Sequence, residues 1–301
     1  MLIHGLDPAH QWDVNGHRVQ ICHDRLTRVS PMSILVYLLS SLISLLTAAG
    51  LIVDRIGTTA LRRQLVKADQ LQVRVDATPS YELAQGKADR IQIAGRGIVP
   101  LPDVRLHIVE LETDPIQVSV ARLQRGEIRL ERPLRAGVRI VLRASDVKRA
   151  FQSPAIARQL TWFGQGFLNR GDASRQRYEL LNPQVTFLAN QRLRLQANLR
   201  QGNDTLAIGV ETGLEIIQGR QFKLLNPVAQ INGQSVPESI LQSLAEGISR
   251  EWDLQTLERS QIVARIIQFQ ITPEELQVAA LVQIGPESPL LKPRRQHRRP
   301  I

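Results

Sequence analysis

The stretch RIQIAGRGIVPLPDVRLHIVELETDPIQVSV, residues 90–120, decides the fold. Ile91 and Ile93 alternate with polar neighbours, then Val104, Leu106 and Ile108 do so, then Ile116, Val118 and Val120. Successive side chains on a strand point to opposite faces, so a period of two predicts a half-buried strand. Turn formers separate the runs at Gly95 to Gly97, Pro100 to Pro102 and Asp114-Pro115. Connections this short favour antiparallel neighbours, because parallel strands need a long crossover.

The same period extends outward. Leu71, Val73 and Val75 carry it upstream, before a turn at Pro79-Ser80. Ile128 and Leu130 follow Gly126, and Val138, Ile140 and Leu142 come next. It resumes with Val185 and Phe187, then with Leu193, Leu195, Ala197 and Leu199, then with Leu206, Ile208 and Val210, then with Leu214 and Ile216. Residues 262–271 and 276–284 close the body as strands.

Helical spacing replaces this period at three places. Ile56, Ala60, Leu61 and Leu65 predict a helix over 54–67. A second runs over 145–160, with Ser145 as N-cap, Asp146 in the first turn, and Val147, Ala150 and Phe151 on one face. Pro154 should interrupt it. The third runs over 236–250, capped by Ser235, with Ile240, Leu241, Leu244 and Ile248 inward and one further turn at Leu254 and Leu257. The fold class is α+β, with antiparallel strands and few helices. The segments GEIRLERP (126–133) and GRQFKLLNP (219–227) resemble each other, and chance and a duplicated unit stand level as explanations.

Ahead of the body, VSPMSILVYLLSSLISLLTAAGLIV carries no charge from Val29 to Val53. A helix of about 20 apolar residues crosses the hydrocarbon core. The domain reading is therefore a disordered leader (1–30), a transmembrane anchor or uncleaved signal (31–53), a folded domain (54–285) and a basic disordered tail (286–301). Thr47, Ala48 and Ala49 also form a passable cleavage site, but the leader is long for a signal peptide, so an anchor is preferred. Basic residues flank the segment on both sides, so the positive-inside rule has little asymmetry to read.

Composition removes several chemistries. The chain of 301 residues has one cysteine, Cys22, which excludes an intramolecular disulfide and a cysteine-based zinc site. Of its six histidines only His107 falls in the body, so clustered imidazole chemistry is poorly supplied. Gly95-Arg96-Gly97 fails as a nucleotide loop, because Pro100 stands where the third glycine belongs. No GxxxxGK[ST] loop and no GxSxG elbow occur. Asp103, Glu110, Glu112 and Asp114 form the densest acidic group. Their alternation reads as a solvated strand edge, with a carboxylate-dependent hydrolase as the rival.

The net charge is +10, and residues 121–200 hold 16 Lys plus Arg against five Asp plus Glu, a local +11. Arg139 and Arg143 should stand on the polar face of their strand. Lys292, Arg294, Arg295, Arg298 and Arg299 make the tail basic. With aromatics at 4%, base-stacking platforms are scarce, so anionic phospholipid and a membrane surface are the expected partners rather than nucleic acid.

Specific residues also carry a family resemblance. Pro79, Leu83 and Gly86, then Arg90-Ile91, Ile93, Gly95 and Gly97, resemble the start of the family once called DUF2993, now named for mycobacterial LmeA-like phospholipid-binding proteins. Gly126, Leu130 and Pro133 continue the likeness. So do Ser145-Asp146-Val147, Phe151, Ser153-Pro154, Gly219, Leu224, Pro227, Asp253-Leu254 and Leu257. It covers roughly residues 50–285 and looks most like the cyanobacterial branch. The long uncharged front segment departs from the family.

The resemblance implies a non-enzymatic phospholipid-binding domain, and together with the uncharged front segment the expectation is a membrane-anchored phospholipid-binding protein of the cell envelope, with lipid transfer as an extension of that role. It also implies a tubular lipid-binding architecture, a long curved antiparallel sheet wrapped around helices with an apolar groove. An envelope structural or assembly factor without ligand remains the alternative. The expected site is the plasma or thylakoid membrane, with the body on the periplasmic or lumenal side, and no cofactor or metal. Val73, Val75, Ile91, Ile93, Ile128, Leu130, Val138, Ile140, Leu142 and Phe151 are the candidate groove residues. Arg139, Arg143 and the basic tail are the candidate head-group contacts. The same alternation also builds an ordinary core, so groove and core both stay open at this point.

Overall fold

The computed structural model describes residue 62 and residues 65–123, 129–154, 156, 179–202 and 204–291. The leader, the apolar run 31–53, Ile128, Lys292, Arg294, Arg295, Arg298 and Arg299 lie outside the described residues, as do most of the 54–67 helix and the end of the 145–160 helix. Among the described residues no helix is long and apolar enough to cross a membrane.

Thirteen strands are described. In chain order they are β1 (Lys67–Asp76), β2 (Lys87–Ala88), β3 (Arg90–Leu101), β4 (Val104–Thr113), β5 (Ile116–Gln117), β6 (Leu134–Arg143), β7 (Glu179–Phe187), β8 (Arg192–Gln201), β9 (Asp204–Ile217), β10 (Gln221–Ile231), β11 (Gln234–Ser235), β12 (Ile262–Ile271) and β13 (Glu275–Ile284). The helices are α1 (Val120–Leu123), α2 (Ala144–Phe151) and α3 (Glu238–Glu251), with 3-10 helices over Ser80–Gln85, Leu254–Ser260 and Pro289–Leu291. Every strand pairing is antiparallel.

The strands divide into two large sheets and a ribbon, where the sequence reading expected one long sheet. The six-stranded sheet has the order β1-β3-β4-β6-β13-β12, the five-stranded sheet the order β11-β10-β9-β8-β7, and β2 pairs with β5. The division follows from pairing partners. After β6 the chain leaves for α2 and the β7–β11 meander, and the last two strands return to pair beside β6. The sheets meet where the β9–β10 turn docks on β12, through a hydrogen bond from Ile266 N–H to Gly219 O of 2.6 Å.

Several expectations are corrected locally. Gly95 to Gly97 is not a turn but lies inside β3. Gly97 has φ 59°, a left-handed conformation that glycine adopts without steric cost. That kink brings Ile98 over Gly95, where a Cβ would sit 2.7 Å from Ile98 Cγ1. A side chain on Gly97 would overlap the Asp69 carboxylate. The paired strand changes face opposite this kink. Leu106, Val109 and Leu111 are buried instead of the Leu106–Ile108 alternation, although the register stays continuous from Gln92↔Glu112 to Ile98↔Leu106.

Val120 does not extend the Ile116–Val118 run but starts α1, since Val118 bridges Leu130 and the chain then turns away. Ser145 does not cap α2. The helix begins at Ala144, whose N–H donates to Glu274 O at 2.7 Å, so the end of β6 passes directly into the helix. Ser235 does not cap α3 either, because it pairs with Gln230 in β11 and the extended Pro237 precedes the first turn. Ile240 and Leu244 are not inward but 51% and 41% exposed. The helix stands against β10 with Leu241, Ala245, Ile248 and Ser249 half-buried on its inner side. Leu254 and Leu257 do form the expected further turn, and both are buried.

Candidate functional site

The site is built by the inner face of the six-stranded sheet. Pairing aligns its residues in rows. One row reads Val73, Ile93, Leu111, Val138, Ala280 and Ile266. The next reads Leu71, Gly95, Val109, Ile140, Val278 and Phe269. Along β1, β3, β4, β6 and β13 the two rows lie two residues apart, while on β12 a bulge between Ile266 and Gln268 brings Phe269 into step.

Between this face and the segments docked on it lies a cavity of about 310 Å³. Its lining consists only of Leu, Ile, Val, Phe, Ala, Gly and Pro. Ile140, Leu142, Val278 and Ala280 stay half-buried although the register turns them inward, so the surface they keep faces the cavity. Toward one end the lining reaches Leu65 and Pro100, beside the exposed Val66 and Leu101.

The far wall comes from outside the sheet. Phe222 packs edge-to-face on Phe269 and on Trp252, each at 6.0 Å between ring centroids. Its position is fixed by backbone. Phe222 N–H donates to Trp252 O at 3.3 Å, and Leu254 N–H donates to Arg220 O at 3.0 Å. Gly219 makes the docking possible, with φ 68° and a would-be Cβ only 2.9 Å from Ile266 O.

Of the expected groove residues, Ile93, Val138, Ile140 and Leu142 line the cavity. Val73, Val75 and Ile91 share its sheet face in the surrounding core. Leu130 is buried in the same core, bridged to Val118. Phe151 belongs to a second cluster with Val185, Phe187 and Ile271. Sequence reasoning missed Ile98, Leu106, Phe222, Leu254 and Phe269 as lining. Nothing local showed that 220–254 folds back over β12.

The charged candidates sit elsewhere. Arg139 pairs with Glu110 at 3.0 Å and hydrogen-bonds Gln277 at 3.3 Å. Arg143 is exposed at the end of β6. Glu112 accepts from Arg90 at 3.0 Å and Gln92 at 3.1 Å, and these hydrogen bonds, Arg90's first, hold its carboxyl below the usual range. Asp103 accepts from Ser153 Oγ at 2.8 Å. Among the described residues no group of three or more His, Cys, Asp and Glu is placed to hold a metal.

His107 Nδ1 is buried and has no hydrogen-bond partner among the described residues. Burial first, then the charges of Arg143 and Arg105, hold its pKa below 6.5. The folded state thus disfavours the imidazolium. Its stability contribution is complete above the unfolded pKa and is lost as pH falls through the lowered folded value. Urea unfolding at neutral and mildly acidic pH should show a loss on acidification that is smaller in His107→Leu. An unchanged pH dependence in that variant would exclude His107 as the cause.

A model of the LmeA-like phospholipid-binding family matches residues 46–280. That span contains every cavity-lining residue except Val282. No curated protein and no solved structure matches the chain.

Proposed function

The chain belongs to the LmeA-like phospholipid-binding family, and from that premise we propose that it is a membrane-anchored, non-enzymatic phospholipid carrier of the cell envelope. The observation that carries this reading is the wholly apolar lining of the cavity in the six-stranded sheet. Each methylene removed from water contributes about 0.8 kcal/mol, so an apolar chain is the ligand such walls favour. The arrangement reads as a tubular lipid-binding architecture, with segments of the second sheet closing the first.

In this reading residues 31–53 anchor the chain and the body lies on the periplasmic or lumenal side of a plasma or thylakoid membrane. The local +11 over residues 121–200 and the basic tail draw it to anionic head groups. That attraction is about 1 kcal/mol per basic residue near the surface and weakens with salt. Lipid is then passed between the cavity and the nearby bilayer.

The test is mass spectrometry of lipids extracted from the purified full chain, alongside liposome flotation at low and high salt. Phospholipid should co-purify, and binding to anionic vesicles should fall as salt rises. No lipid and no low-salt vesicle binding would leave a structural or assembly role ahead. Phospholipid turnover abolished by Glu110→Gln or Glu112→Gln would overturn the non-enzymatic part. Release of the full chain by carbonate washing would overturn the anchor.

A further inference from the structure

We infer that the cavity takes one acyl chain at a time and measures its length, filling at about ten carbons. This deepens the lipid-binding reading and rests on it. Three observations carry it. The first is volume. An apolar cavity of about 150 Å³ takes a benzene, six carbons, so a cavity of about 310 Å³ holds about ten carbons or slightly more. The paired chains of a phospholipid do not fit together in that space.

The second is chemistry. No lining side chain carries nitrogen or oxygen, so nothing inside compensates a desolvated phosphate or glycerol group. The head group therefore stays outside and only hydrocarbon enters. The end that reaches Leu65 and Pro100, beside the exposed Val66 and Leu101, is where the chain passes in.

The third is the stiffness of the walls. Ile93, Val138, Ala280 and Ile266 sit on strands paired in one continuous ladder from β3 to β12. Phe222 and Leu254 are held by backbone hydrogen bonds to the segments around them. Widening the cavity means separating ladder pairs or the docked turn, and packed interiors yield little. The walls thus set a limit on chain length. A single-chain amphiphile satisfies the site completely, whereas a diacyl phospholipid leaves its second chain outside.

The experiment uses the full chain kept soluble by an amphipathic polymer. It is titrated with saturated lysophosphatidylglycerols of increasing chain length, each below its micelle concentration. Affinity should tighten about fourfold per added methylene up to about ten carbons, then level off. Native mass spectrometry should show one chain per protein. Ala280→Leu adds three carbons to the wall and should move the break about three carbons shorter. Phe269→Leu removes three and should move it about three longer, which keeps the test decisive if the first variant fails to fold. Affinity rising without a break, an unmoved break in both variants, or two chains bound per protein would overturn the length limit and leave lipid binding intact. No binding at any chain length, with no co-purifying lipid, would overturn the lipid-binding reading itself.

Discussion

Arg105→Ala is expected to destabilise the protein by about 3 kcal/mol, measured as a lower urea midpoint at unchanged m-value. Arg105 reaches two carboxylates, Asp146 at 3.1 Å and Asp69 at 2.7 Å. They lie on different elements, α2 and β1, so one guanidinium on β4 ties both to the sheet. Asp146 is only 5% exposed. Removing its partner strands a buried charge, which costs about 3–5 kcal/mol in buried pairs. Arg105 is itself 32% exposed, which puts the expectation at the lower end. Arg105→Met combined with Asp146→Leu should cost much less, because no buried charge is then left without a partner and Asp69 is 41% exposed. If the single and double variants lose equal stability, the pair is not what holds α2 in place. Asp69 responds to the same contact. The Arg105 hydrogen bond holds its carboxyl below the ordinary aspartate range. Its share of stability is therefore present above the unfolded pKa and is lost as pH falls through the lowered folded value.

Gly219→Val should lower stability by about 2–4 kcal/mol and weaken acyl-chain binding with it. A β-branched residue at φ 68° occupies a sparsely populated region at a cost of about 1–3 kcal/mol. Its Cβ would also lie 2.9 Å from Ile266 O, so the turn must move away from β12. That movement breaks the hydrogen bond from Ile266 N–H, a loss of about 0.5–1.5 kcal/mol. Phe222 and Leu254 then lose the support that closes the cavity. Gly233→Val is the control. Gly233 also has positive φ, but a Cβ there meets nothing within 4 Å. It should show the strain cost alone, with acyl-chain binding retained. Equal loss of binding in both variants would mean that the docked turn does not form the cavity wall.

Much of the fold was legible because strand alternation is a local property. The period of two in β1, β3 and β6 names inner residues directly, and Ile93, Val138, Ile140 and Leu142 follow from it. The misreadings have a common cause in contacts from distant segments. Gly95 and Gly97 looked like a turn, since glycine pairs usually mark one. They are needed inside a strand because Ile98 and the Asp69 carboxylate occupy the space where side chains would stand. Ile240 and Leu244 share helical spacing with Leu241 and Ile248, but spacing cannot say how many elements a helix will meet.

By itself the sequence determined the α+β class, the antiparallel pairing, most strand positions and the apolar identity of the inner face. Each of these depends on a side chain and its near neighbours along the chain. Tertiary structure alone decided the split into two sheets, the docking of Gly219 on β12 and the placement of Phe222 and Leu254 against Phe269. It also decided that the inner face encloses a space instead of closing on itself. Alternation specifies which side of a strand is apolar. Whether two apolar sides meet or leave room between them depends on backbone contacts between residues far apart in the chain, and no periodic pattern encodes that distance.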